Sequence, residues 1–313
     1  MLRQALAAVV VAQGLLGCAG LAPQAELHNS AAVRVDGVPF IAQSEYQCGP
    51  AALAMLLQHA GLSVSAEDLL PSVYLPERRG SLQAEMIAAA RDHQLLVIKL
   101  GPELGDLQQA LAAGYPALLF QNLALSWWPQ WHFAVLLGLD PGAAQAQLHS
   151  GLDADRRMAL RPFLRSWDLA GRWAVVLAKP DQVPEFVSDR QWLRAAADFE
   201  SLGQYEIAGQ AYLAAAQRWP ELALPWRLLG NVALLDADAD GALSAYREAQ
   251  LRAEHDVATL NNLAMAQAMR GCKTQAQQAL AQARRQDSGV FAAALAQTAA
   301  DIAAMAGDGC PAD

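Results

Sequence analysis

A cysteine at position 48 opens the stretch Cys48-Gly49-Pro50, and an alanine- and leucine-rich run follows it. A cysteine nucleophile needs a base, an oxyanion site and a thiol that ionises readily. Proline is favoured in the first turn of a helix, so Cys48 is placed at a helix start. There the partial positive charge of the helix N-terminus stabilises a thiolate. Gly49 leaves room beside the sulfur for a carbonyl to approach, and Gln43, five residues upstream, has a side-chain amide suited to a developing oxyanion. The chain has six histidines from which to draw a base. His28 lies near the N-terminus, and His59, His93 and His255 sit on or beside amphipathic helical stretches. His132 follows Ser-Trp-Trp-Pro-Gln-Trp and opens the β-type run Phe-Ala-Val-Leu-Leu-Gly-Leu-Asp, and His149 is the reserve candidate. Alone, a cysteine in such a run is ordinarily a buried inert thiol.

The elements that must position these groups read as mixed α and β. Helical composition covers 48–60, closed by Gly61, then 81–93, then 103–113, closed by Gly114. Runs of β type follow at 95–100, 116–121, 133–139, 146–149 and 173–178. Helices first and strands after predict an α+β layer fold with an antiparallel sheet over residues 33–179. The tryptophans at 127, 128 and 131 are expected to pack under a strand, in preference to lining a substrate groove. Residues 180–188, with Pro184 inside, read as a linker.

From 189 onward the sequence repeats itself at a shift of 34 residues. Trp192, Trp226 and Leu260 fall in step, as do Ala208, Ala242 and Ala276, then Tyr212, Tyr246 and Leu280, then Ala215, Ala249 and Ala283. This pattern resembles the tetratricopeptide repeat, an antiparallel helix pair per unit. Three units and a terminal capping helix are expected over 189–306, with a tail at 307–313. The surface of such an array fits a protein partner, or braces the neighbouring domain.

Net charge is −9 and no Lys/Arg block occurs, which argues against nucleic acid as a partner. The spacing of Cys and His offers no metal site, and nothing calls for a cofactor. The N-terminus carries Arg3, an apolar run, and then Leu15-Leu16-Gly17-Cys18-Ala19. This resembles the lipobox of bacterial lipoproteins. The resemblance implies a signal peptide at 1–17, a lipid-modified Cys18 and a tether at 18–32. It also implies a membrane anchor on the periplasmic side, with the outer membrane as the expected address. Spacing leaves open whether Cys272 and Cys310 pair or remain thiols.

Val-Pro-Phe-Ile-Ala-Gln-Ser-Glu-Tyr-Gln-Cys-Gly-Pro, with Trp-His-Phe-Ala-Val-Leu-Leu-Gly-Leu-Asp downstream, is similar to the bacteriocin-processing (double-glycine leader) cysteine peptidases and their stand-alone relatives. The resemblance covers about 36–178 and implies a papain-like fold. It assigns Cys48 as nucleophile, His132 as general base and Gln43 as oxyanion donor. The family often has aspartate before the cysteine, where this chain has Gln47. Its third catalytic position, an aspartate, falls on Ser150, with Asp140 and Asp153 as nearby substitutes. The expected protein is therefore a lipid-anchored thiol peptidase acting on a peptide or protein, with repeats for docking. The alternative is a non-catalytic envelope scaffold of the same architecture.

Overall fold

The structure is a computed structural model that describes residues 31–43, 47–305 and 309–310. The signal segment, Cys18 and His28 lie outside the described residues. Within them, the chain forms an α+β domain followed by an all-helical repeat solenoid.

The sheet has seven strands: β1 (Val33–Arg34), β2 (Leu96–Lys99), β3 (Ala117–Asn122), β4 (Trp131–Asp140), β5 (Gln145–Ser150), β6 (Asp153–Ala159) and β7 (Ala174–Ala178). Their order is β2-β7-β3-β4-β5-β6, every pairing is antiparallel, and β1 joins the far end of β4 at Gly138 and Leu139. Both faces of the central strands are covered. One face presents Val97, Leu118, Phe120, Phe133, Val135, Val175 and Leu177 to α1 (Cys48–His59), α2 (Ala66–Val73) and α3 (Gln83–Asp92). The alternate residues Leu96, Ile98, Leu119, Ala134, Leu136 and Val176 face a second core. That core holds α4 (Leu104–Ala112) and α5 (Leu160–Asp168). Period-two alternation with both faces buried explains why β7 and the first four residues of β3 read as unbroken apolar runs.

Besides the two-residue β1 and a short 3₁₀ turn at Pro76–Arg78, three elements went unread in the sequence. The α2 helix contains Pro71 yet is fixed by a capping box between Ser65 and Asp68. The β6 edge strand is exposed at six of its seven residues, so it shows no apolar alternation. The α5 helix buries Leu160, Phe163, Leu164 and Trp167, a helical stripe that follows directly on β6.

The solenoid consists of α6 (Asp189–Ser201), α7 (Tyr205–Arg218), α8 (Ala223–Leu235), α9 (Ala239–Arg252), α10 (Val257–Met269), α11 (Lys273–Gln286) and α12 (Ala292–Ala303). The in-step alanines Ala208, Ala242, Ala276, Ala215, Ala249 and Ala283 are all fully buried, which lets the helices approach closely. A Cβ on Gly230 would lie 2.5 Å from the Tyr246 ring, so the glycine makes room for the tyrosine of the same unit. The first pair is not separate from the α+β domain. Trp192, Phe199, Tyr212 and Ala215 belong to the same core as Ile98, Leu136 and Val176. Arg91 of α3 is ion-paired with Asp198 of α6, and Gln191 Nε2 donates to Lys99 O at 3.2 Å. Between the two units, Val187 is buried and Phe186 meets Tyr115 edge-on, so the segment at 180–188 is packed. Cys272 and Cys310 form a disulfide that ties the chain end back to the start of α11.

Candidate active site

Cys48 is the first residue of α1, and Gln47 before it supplies no side-chain cap. The Gly49 Cα faces α3: a Cβ there would sit 2.3 Å from Ser81 Oγ and 3.2 Å from Met86 Sδ. The glycine is thus required by the packing of residue 81 against the helix start.

The sulfur receives hydrogen bonds from the backbone of Phe133, Gly49 and Cys48 itself, all of which favour the thiolate. Burial outweighs them and pushes the thiol above its usual value. The resting group is therefore a thiol at neutral pH, where the helix-start position alone suggests a thiolate. The bond from Phe133 places Cys48 beside β4 at the residue directly after His132.

His132 stands second in β4, and its Nε2 lies 2.9 Å from Ser150 Oγ at the end of β5. With Nε2 bonded to Ser150, Nδ1 is the ring nitrogen left to take a proton from the thiol. Burial pulls His132 down to about 4, and the charge of Arg156 on β6 adds to the fall. The proposed carboxylate substitutes do not reach the ring. Asp140 is eight residues further along β4, roughly 25 Å away, where its carboxylate accepts the Ala143 amide at 2.9 Å. Asp153 is the register partner of Ser150 across the β5–β6 hairpin but is exposed. Among the described residues no carboxylate is bonded to His132.

Gln43 holds the ends of β4 and β5 together. Its Oε1 accepts from Gly151 N at 2.8 Å, its own N–H donates to Gly151 O at 3.0 Å, and its Nε2 donates to Phe133 O at 3.3 Å. The residue is 6% exposed. One Nε2 hydrogen remains for an oxyanion after the bond to Phe133 is counted. His149 is removed as a reserve base, because both ring nitrogens are engaged with backbone. Nδ1 accepts from Asp155 N at 3.1 Å, and Nε2 lies 3.2 Å from Val38 O.

These groups share one cleft of about 840 Å³, lined by Cys48, His132, Gln43 and Gly151. Phe120 and Trp131 form part of its wall, stacked at 5.1 Å between ring centroids. Trp127 and Trp128 are 76% and 67% exposed on the β3–β4 connection, so they do not pack under a strand as expected. Asn122 shapes that connection by accepting the amides of Ala124 and Gln130. The sequence reading also missed the cleft wall at 78–83, which carries Arg78, Arg79 and Ser81. Its only signal is a charged stretch, Pro-Glu-Arg-Arg-Gly-Ser, and such stretches are usually solvated turns.

A two-sided sheet, a thiol at a helix start and a histidine at a strand start define the class: an α+β domain with the frame of a thiol hydrolase. Residues 38–168 match the family model described as the Peptidase C39 family. Solved structures similar to parts of the chain include a putative C39-like peptidase from Bacillus anthracis. That match has 19% identity and a TM-score of 0.41, covering 48% of this chain and 98% of the other. Another is a double glycine motif protease from an AMS/PCAT transporter in complex with its leader peptide. It has 23% identity and a TM-score of 0.37, over 48% of this chain and 94% of the other. The TPR2B domain of yeast Sti1, in a complex with pHsp70, matches at 18% identity and a TM-score of 0.35, over 37% of this chain and 95% of that one. No curated protein matches the chain.

Proposed function

We propose that the chain hydrolyses peptide bonds through Cys48 and His132, as a lipid-anchored protein on the periplasmic side of the cell envelope, with the repeats docking a protein partner or substrate. The observation that carries the reading is the Ser150 hydroxyl 2.9 Å from His132 Nε2, in a cleft that Cys48 also lines. With Nε2 held by Ser150, the tautomer that carries its hydrogen on Nε2 leaves Nδ1 bare.

As a substrate amide enters, Cys48 Sγ attacks its carbonyl carbon and the thiol proton moves to His132 Nδ1. The oxyanion is met by the free Gln43 amide hydrogen at the start of α1. His132 returns the proton to the leaving amine, the C–N bond breaks, and a thioester remains on Cys48. Water then attacks the thioester, loses its proton to His132, and Cys48 recovers its thiol proton as the acid product leaves. Imidazolium is disfavoured at this site by burial and by Arg156. Turnover on this reading is slow relative to a site with a carboxylate. The envelope location is supported by the lipobox-like residues 15–19 and by the Cys272–Cys310 disulfide, a bond that persists in oxidising compartments.

The test is acyl-enzyme trapping. Wild type mixed with envelope peptides and quenched in acid should carry a thioester on Cys48, visible by mass spectrometry, and His132→Ala should not. No adduct in either protein defeats the peptidase reading. The second reading, a non-catalytic scaffold, draws on the neutral Ser150 and the raised Cys48 thiol. It is favoured if a cellular phenotype survives Cys48→Ala but not removal of 219–313.

A further inference from the structure

The cleft has a second chemical character besides its thiol. Fifteen of the described residues line it, among them Arg78 and Arg79, and none of these is Asp or Glu. This holds in a chain whose net charge is −9, so the cationic lining is local and not a property of the whole surface. The arginines sit on a pinned turn. Leu75 N donates to Gly80 O at 2.8 Å, Arg79 N donates to Pro76 O at 3.1 Å, and Leu75 and Gly80 form an isolated bridge. Arg78 is exposed and makes no ion pair among the described residues. Glu77 shares the turn but does not line the cleft. Next along the same wall, Ser81 Oγ is buried and has no hydrogen-bond partner among the described residues.

Arg78 therefore offers donors and positive charge to the cleft without an ion-pair partner among the described residues, and no described lining residue is a carboxylate. Phe120 and Trp131, stacked in the same cleft, offer a flat apolar surface. We infer that Arg78, with Arg79 and Ser81 beside it, is the specificity determinant of this cleft and selects a peptide carrying a carboxylate together with an aromatic or large apolar residue. This rests on the peptidase reading for what happens to the bound peptide, but not for the binding itself. Guanidinium binds carboxylate by paired, charge-assisted hydrogen bonds that an amide of the same shape does not reproduce.

The experiment uses the full chain with Cys48→Ala, so that binding is read without turnover. The probes are short acetylated peptides with one Phe, bearing Glu, or Gln at the same place, or Gln with a free C-terminal carboxylate. All the others end in an amide. The Glu peptide or the free-acid peptide should bind about tenfold or more tightly than the Gln amide. The advantage should shrink in Arg78→Gln and fall with added salt. Which acid binds tells a side-chain carboxylate from a terminal one. Equal or absent binding of all three, or a preference that survives Arg78→Gln combined with Arg79→Gln, overturns the inference. Wild type is then given the same peptides. Cleavage with no acid preference overturns the inference and leaves the peptidase reading standing. Acid-selective binding without cleavage upholds the inference and counts against the peptidase reading.

Discussion

The solenoid and the cleft are built on opposite plans. In the solenoid, residues in step along the chain do the same work: Ala208, Ala242 and Ala276 are each fully buried at a helix crossing. Each contact is local, and its energy is spread over many alanines, leucines and ring faces. In the cleft, four side chains at positions 43, 48, 132 and 150 meet from two strand ends, one helix start and a coil segment, and none substitutes for another. Damage to the solenoid should be graded and mainly thermodynamic. Damage to the cleft should be abrupt and chemical.

The sharpest way to break that contrast is Cys48→Ala. Turnover should fall by about 10⁴-fold or more, with the unfolding midpoint nearly unchanged. A residual rate within tenfold of wild type would mean that some other group does the chemistry. Next come two buried rings. Trp192→Ala and Tyr246→Ala should each cost about 3–5 kcal/mol, but in different places. Tyr246 lies in the core of the later repeats, with Leu260 and Leu280, so denaturant should melt that end while Cys48 keeps its alkylation rate. Trp192 shares the core of the sheet, and its loss should lower the denaturant midpoint at which Cys48 becomes reactive. Identical behaviour of the two variants would erase the distinction.

Cys310→Ser removes a link across a sequence separation of 38 residues, worth about 2–4 kcal/mol on the chain-entropy account. Its effect should appear as faster hydrogen exchange in α11 and α12, with the cleft undisturbed. The smallest change is the most informative about the site. Ser150→Asp puts a carboxylate on His132 and should raise kcat/KM by about 10–100-fold. The sign follows from the two titrations. In wild type the thiol is raised and His132 is neutral above about 4. Alkylation of the free protein should then climb with pH through the alkaline range, without a neutral plateau. In Ser150→Asp the imidazolium is stabilised, an ion pair with the thiolate forms, and a plateau should open near neutral pH. The acid limb of kcat/KM, near pH 4 in wild type, should move upward.

The solenoid was legible because its contacts recur at a fixed period, so columns of Ala, Trp and Tyr expose the packing directly. The sheet was legible wherever both faces are buried. It was not legible at β6, whose exposed Asp153, Asp155, Arg156 and Arg157 give no apolar pattern. In the cleft, the order Gln43, Cys48, Gly49, Pro50 marked the site because a helix start and an oxyanion donor leave local traces. The role of Ser81 against Gly49 and the arrival of Arg156 left none, and Arg78 showed only as part of a charged stretch. They depend on chain crossings that no short window of sequence records. The thiol's state was also out of reach, since desolvation is set by everything packed around α1.

The common core of the sheet and the first helix pair bears on how the chain can be cut. By repeat pattern, the chain divides at 180–188. A truncation there would uncover Ile98 and Val176, strip the ion-pair partner from Arg91, and leave Trp192 without its neighbours on the other fragment. Neither half would keep its interior dry. A soluble fragment bearing the cleft should therefore run through Arg218, carrying its first helix pair as a permanent lid over the sheet.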